Sequence, residues 1–208
     1  MFLDRKLSAA MWGRVQLLWL VLAVVALLAG IGFIALGSYV RGNIRDELRG
    51  QQITFPAAEA LTDEERAIDG MVDHAGERLE NGSQAKVYSE YILLHMSESA
   101  IDAGFPDATY ATLGGPQREA RAAVAAAREA GDQAAQDAAQ AQLDSINNLR
   151  NTMLTGSNLR GNLLSAYGWD NVGFGVMVTG VAIIVLSVVF FLLFLFERRR
   201  GHLPAVTD

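Results

Sequence analysis

Two long apolar stretches bracket a polar middle. Val172 to Phe196 carries no charged side chain over about 25 residues, more than the roughly 20 that a helix needs to cross hydrocarbon. It stops against Arg198, Arg199 and Arg200. Val15 to Val40 is a second run of the same kind. The pattern predicts an all-α membrane protein in which two antiparallel transmembrane helices, at 15–40 and 171–196, extend into an extracytoplasmic helical domain at 41–170. Short tails at 1–14 and 197–208 complete the chain.

Orientation follows from Lys and Arg beside the spans, which resist translocation. The first span is nearly tied, with Arg5, Lys6 and Arg14 on one side and Arg41, Arg45 and Arg49 on the other. The triple arginine therefore decides, and places both termini in the cytoplasm. Trp12 then reads as an inner interfacial residue, and Tyr39, Tyr167 and Trp169 as outer ones. Ala35-Leu36-Gly37 resembles a signal-peptide cleavage site, but the run around it far exceeds the roughly 7–15 apolar residues of a signal core, so an uncleaved anchor is expected.

Both spans carry small residues at helical spacings. Ala23, Ala26, Gly30 and Gly37 mark one face of the first; Gly175, Thr179 and Ala182 mark one of the second, with Gly173 and Gly180 alongside. Small side chains let helices approach closely in lipid, where dispersion holds them. The expected contact is Gly30 with Gly175. Most of the glycines lie in the outer half, so the helices are expected to touch there and to be held apart by Leu and Phe further in. Phe190, Phe191, Phe194 and Phe196 read as lipid-facing bulk, or alternatively as a docking surface for other membrane subunits.

The apolar spacing of Val40, Ile44 and Leu48 extends the first helix beyond the bilayer, and Leu149, Met153, Leu159 and Leu163 lead down to the second, so the two are expected to zip together. Pro56 disfavours helix at Phe55, which makes Gln51 to Pro56 extended. Thr62 and Glu65 have the spacing of a capping box and predict a helix to about Leu79. Asn81-Gly82-Ser83 breaks the chain, or serves as a glycosylation sequon. A helix over Gln84 to Ala100 follows, with Val87, Tyr91, Leu94 and Tyr88 on its apolar side. Gly104 to Leu113 reads as a loop. An alanine-rich helix is expected over about 116–155, interrupted or bent near Gly131-Asp132 and anchored only from Leu143, Ile146, Leu149 and Met153 onward; a disordered linker is the alternative.

Charge narrows the function. The chain has 208 residues and a net charge of −6, concentrated in the middle, where acidic side chains outnumber basic ones almost two to one. No basic patch of the kind that phosphate neutralisation requires is present, which excludes nucleic acid. With no cysteine, disulfides, thiolate nucleophiles and Cys-ligated zinc are excluded. His74 with Glu77, and His95 with Glu98, each set an imidazole and a carboxylate one helical turn apart, the way bundles present metal ligands. Such pairs also arise on any solvated helix, and no metal or cofactor is expected. Neither a nucleophile elbow nor a phosphate-cradling glycine loop appears. The spans hold no charged residue, which argues against an ion or proton pathway through this chain alone.

Gln52-Ile53-Thr54-Phe55-Pro56, the run Gly82-Ser83-Gln84-Ala85-Lys86-Val87-Tyr88, Tyr91-Ile92-Leu93-Leu94-His95 and Leu159-Arg160-Gly161-Asn162-Leu163-Leu164-Ser165-Ala166-Tyr167 resemble a family of uncharacterised actinobacterial two-span integral membrane proteins. The resemblance implies a plasma-membrane location and no activity. Some members carry a label as a ring-opening dioxygenase subunit, which no iron-ligand set in these residues supports.

Two functional readings follow. One is a non-enzymatic scaffold or accessory subunit of a membrane or envelope complex, whose partners are the lipid bilayer and other membrane proteins or further copies of itself. The other is an extracytoplasmic ligand-binding or sensory module; the tail at 197–208 is too short for a signalling domain, so a signal would pass through a partner.

Overall fold

A computed structural model describes residues 9–200, with side chains from 12 to 199. The tail residues Arg5 and Lys6, the side chain of Arg200, and 201–208 lie outside the described residues. Five α-helices are present among the described residues: α1 Ala9–Gly50, α2 Asp63–Arg66, α3 Gly82–Asp102, α4 Gly114–Glu129 and α5 Gln133–Arg200. No strand occurs among them, only a single antiparallel bridge between Thr54 and Arg78. Helices α1 and α5 are long and apolar enough to cross a membrane. Only 11% of the most apolar window of each is buried, which is not how the core helix of a soluble protein sits.

The chain divides into two compact units. One comprises the described residues up to Asn43 together with those from Trp169 onward. The other is Ile44–Gly168.

In the second unit, the end of α1 meets α5 through Leu48 and Leu163, both buried, with Ile44, Leu159 and Ala166 packed around them. This is the zipped arrangement that the apolar spacing predicts. Phe55, Leu61, Met71, Leu79 and Ala85 join the same core. Gln51 and Gln52, expected to be extended, form a turn off the end of α1, with Gln52 at φ of +54°, whereas residues 53–56 are extended as expected. Their partner is a surprise: the amide of Phe55 donates to the carbonyl of Glu77, and that of Leu79 to Ile53, both at 2.9 Å. The helix expected from Thr62 to about Leu79 is therefore corrected to the single turn of α2. The capping box is present, with Glu65 N donating to Thr62 Oγ1 at 3.2 Å and Thr62 N to Glu65 Oε2 at 2.8 Å. The helix is capped at Ala67, and Gly70 then takes φ of +81°, a left-handed turn that L side chains resist, beyond which 76–79 pairs with 53–56.

Helix α3 starts at Asn81, whose Oδ1 accepts from Gln84 N at 3.0 Å, so this side chain serves as a cap. The alanine-rich stretch is helical and is divided where expected. Gly131, at φ of +69°, separates α4 from α5, and Asp132 Oδ1 accepts from Ala135 N to start the second helix. The two helices fold back on one another, since Gln117 Nε2 on α4 donates to Asn147 Oδ1 on α5 at 2.6 Å. Helix α4 buries only Ala120. Its anchor lies in the neighbouring cluster of Ala100, Leu113, Leu149 and Met153.

Candidate functional site

The first unit is a helix pair closed along a seam of small residues. On α1 the buried positions are Ala23, Gly30 and Gly37, spaced by seven; on α5 Gly173, Gly180 and Ser187 are buried, also spaced by seven, with Asp170 buried at one end. A repeat of seven keeps one face of a helix turned to its mate when the helices supercoil slightly. A Cβ built on Gly30 would lie 2.8 Å from the Gly180 carbonyl oxygen and 2.6 Å from Ile184 Cγ1. One on Gly37 would lie 2.5 Å from the Gly173 carbonyl oxygen. The backbones touch because no side chain intervenes.

Of the residues expected to pack, Gly30 and Gly37 lie in the seam and Ala26 at its edge, half-buried. Gly175, Thr179 and Ala182 do not; all three are exposed, and a Cβ on Gly175 would meet nothing. The expected Gly30–Gly175 contact is corrected to Gly30–Gly180. At about 100° per residue, Gly175 sits some 200° around the helix from Gly173. Thr179 Oγ1 instead donates to the carbonyl of Gly175 at 2.9 Å within its own helix. The expected separation by bulky residues is also corrected. Trp19 packs on Phe190 with ring centroids 5.8 Å apart, and Gln16 Nε2 donates to the Glu197 carbonyl at 3.2 Å. Phe190 thus belongs to the interface, while Phe191 and Phe196 are exposed.

At the other end of the seam Arg41 Nε donates to Asp170 Oδ1 at 3.0 Å, and its guanidinium lies 5.8 Å from the centre of the Phe174 ring. In the sequence Arg41 stands out only as a topology charge. The signal available was two opposite charges, one at the end of each apolar run. Of the residues expected at membrane interfaces, Trp12 is half-buried and Tyr39, Trp169 and Arg199 are exposed; Arg198 is exposed and engaged in an interaction. Tyr167 belongs to the other unit, where Lys86 Nζ sits 5.5 Å from its ring centre.

The histidines lie in the second unit. His74 Nδ1 is 2.9 Å from Glu77 Oε2, which also accepts from Gln84 Nε2 at 2.9 Å; these two bonds hold the Glu77 carboxyl below its usual range. His95 lies between two carboxylates, with Nε2 at 3.0 Å from Glu65 Oε1 and Nδ1 at 2.9 Å from Glu98 Oε2. Glu65 is buried, and through it the capped turn of α2 is tied to α3, a contact that sequence spacing does not reveal. Burial and then the Glu65 charge push the Tyr91 hydroxyl up. A metal needs several donors converging on one point. Here the carboxylates occupy opposite edges of the imidazole, and no group of three metal-binding side chains is found among the described residues.

No protein-family model matches the chain, and no curated protein or solved structure matches it.

Proposed function

We propose that this chain is a non-enzymatic two-span protein of the plasma membrane, a scaffold or accessory subunit of a membrane or envelope complex. In this reading α1 and α5 cross the bilayer as an antiparallel pair, both termini are cytoplasmic, and 41–170 is extracytoplasmic. The observation that carries it is the contrast around the two helices: the faces turned to each other are glycine backbone, and the large apolar side chains point outward. Leu17, Val25, Leu28, Val181 and Val185 are all exposed, a surface stable in hydrocarbon and costly in water. Contacts running in reverse order along the chain, from Gln16–Glu197 through Trp19–Phe190 and Gly30–Gly180 to Arg41–Asp170, support the antiparallel pairing. The triple arginine supports the orientation.

Extraction of native membranes in mild detergent, after crosslinking, tests the role. The reading expects the chain to migrate with other membrane proteins or further copies of itself. A solitary, monodisperse monomer contradicts it.

A further inference from the structure

The second unit contains a cleft of about 430 Å³ between α3, the loop that follows it and α5, within the size range of small-molecule sites. Its apolar walls are Leu93, Met96, Ala100, Met153 and Leu164. Two opposite charges also line it, Arg160 from α5 and Asp107 from the loop. The Arg160 Nε is buried and has no hydrogen-bond acceptor, and its Nη2 reaches Glu90 Oε1 only at 3.5 Å. The Arg160 side chain is 32% exposed and its contact with Glu90 is long, so the guanidinium edge beyond Nε can meet a carboxylate that enters the cleft. Asp107 is exposed, is held at φ of +60° and makes no side-chain hydrogen bond or ion pair. That φ belongs to the turn Phe105-Pro106-Asp107-Ala108, closed by Ala108 N donating to the Phe105 carbonyl at 3.1 Å, which sets Asp107 on the cleft rim. Ser97 and Ser157 line the same cleft.

We propose that this cleft binds a small zwitterion with an apolar body, of the kind of an apolar amino acid or a short apolar peptide, its carboxylate on Arg160 and its ammonium on Asp107. The two charges explain why a simple anion fits less well: Asp107 and Glu90 repel it, whereas a zwitterion leaves the site electrically balanced. The apolar walls take the side chain, and the contribution of each methylene to affinity is small, so the charges set specificity. The proposal does not depend on the membrane reading.

Calorimetric titration of the full chain in lipid nanodiscs tests it, using L-leucine and L-leucyl-leucine as probes. L-leucine has single-charge comparators, 4-methylpentanoate lacking the amine and 3-methylbutylamine lacking the carboxylate. At least one zwitterion is expected to bind saturably, and both comparators at least about tenfold more weakly. Arg160→Gln and Asp107→Asn are each expected to weaken zwitterion binding at least about tenfold, and Asp107→Asn to strengthen the residual 4-methylpentanoate binding, because the carboxylate that repels this anion is gone. Both side chains are solvent-accessible, so these variants fold; Ser157→Trp, an exposed position on the cleft wall, is expected to block binding by filling it. Absence of binding by both zwitterions, comparators that bind equally well, or zwitterion binding unmoved by these three substitutions would overturn the proposal.

Discussion

Gly30 and Gly180 meet backbone to backbone. A Cβ on Gly30 would lie 2.8 Å from the carbonyl oxygen of Gly180, and one on Gly180 would lie 2.7 Å from that of Gly30. Because the obstruction is carbonyl oxygen, side-chain rearrangement cannot relieve it. Gly180→Leu is expected to force the helices apart and destabilise the pair by about 1–3 kcal/mol, the usual range for overpacking. Gly175→Leu, on the open face, is expected to be neutral. Thermal unfolding in detergent checks both; equal melting points for the two variants would remove the seam from the account.

Arg41 and Asp170 close one end of that pair. The Asp170 side chain is only 11% exposed while that of Arg41 is 39% exposed, so the pair is asymmetric. Arg41→Ala leaves a largely buried carboxylate without its partner and is expected to cost about 1–2 kcal/mol, discounted for the exposure of the arginine. Asp170→Asn retains a hydrogen-bond acceptor and is expected to cost less. The order of the two melting points is the readout.

Stability should fall in acid through Glu77 and Glu80. His74 and Gln84 lower the first, and the hydrogen bond and charge of Arg49 lower the second, from 4.5. A carboxyl whose folded value is depressed contributes stability that is fully present above its unfolded value and is lost as pH falls through the folded one. Unfolding followed from about pH 6 to about pH 3 is expected to show decreasing stability below about pH 4.5. Glu77→Gln with Glu80→Gln is expected to flatten part of that decline.

Glu65 joins α2 to α3. Its carboxylate accepts from the Thr62 amide and lies 3.0 Å from the buried Nε2 of His95, so Glu65→Ala removes a capping bond and takes the charge partner from that nitrogen. The expected cost is about 1–3 kcal/mol. Glu98→Ala removes an exposed partner of the same histidine and is expected to cost a few tenths. Chemical denaturation of the two variants checks the difference.

Much of this fold was legible in the residues. Charge-free length marks the two long helices, Pro56 marks an extended segment, and Gly131-Asp132 marks the division of the alanine-rich stretch. On α1 the spacing of Ala23, Gly30 and Gly37 also identified the packed face. On α5 small residues occupy several faces, and only the seven-residue phase of Gly173, Gly180 and Ser187 distinguishes the right one. Between Thr62 and Leu79 the apolar spacing imitates a helix. There the pairing with 53–56, a long-range contact, overrides local propensity at Gly70. The Glu65–His95 contact and the cleft holding Arg160 and Asp107 arise from tertiary packing, which local spacing does not encode.

The membrane topology is the central claim, and the absence of cysteine makes it directly testable. Glu129→Cys, at the exposed end of α4, and Asp208→Cys, in the tail, each introduce the only thiol in the chain. In intact cells treated with a membrane-impermeant maleimide, Glu129→Cys is expected to be labelled and Asp208→Cys to be labelled only after lysis. Protection of Glu129→Cys in intact cells, or labelling of Asp208→Cys without lysis, would contradict the two-span arrangement with 41–170 outside.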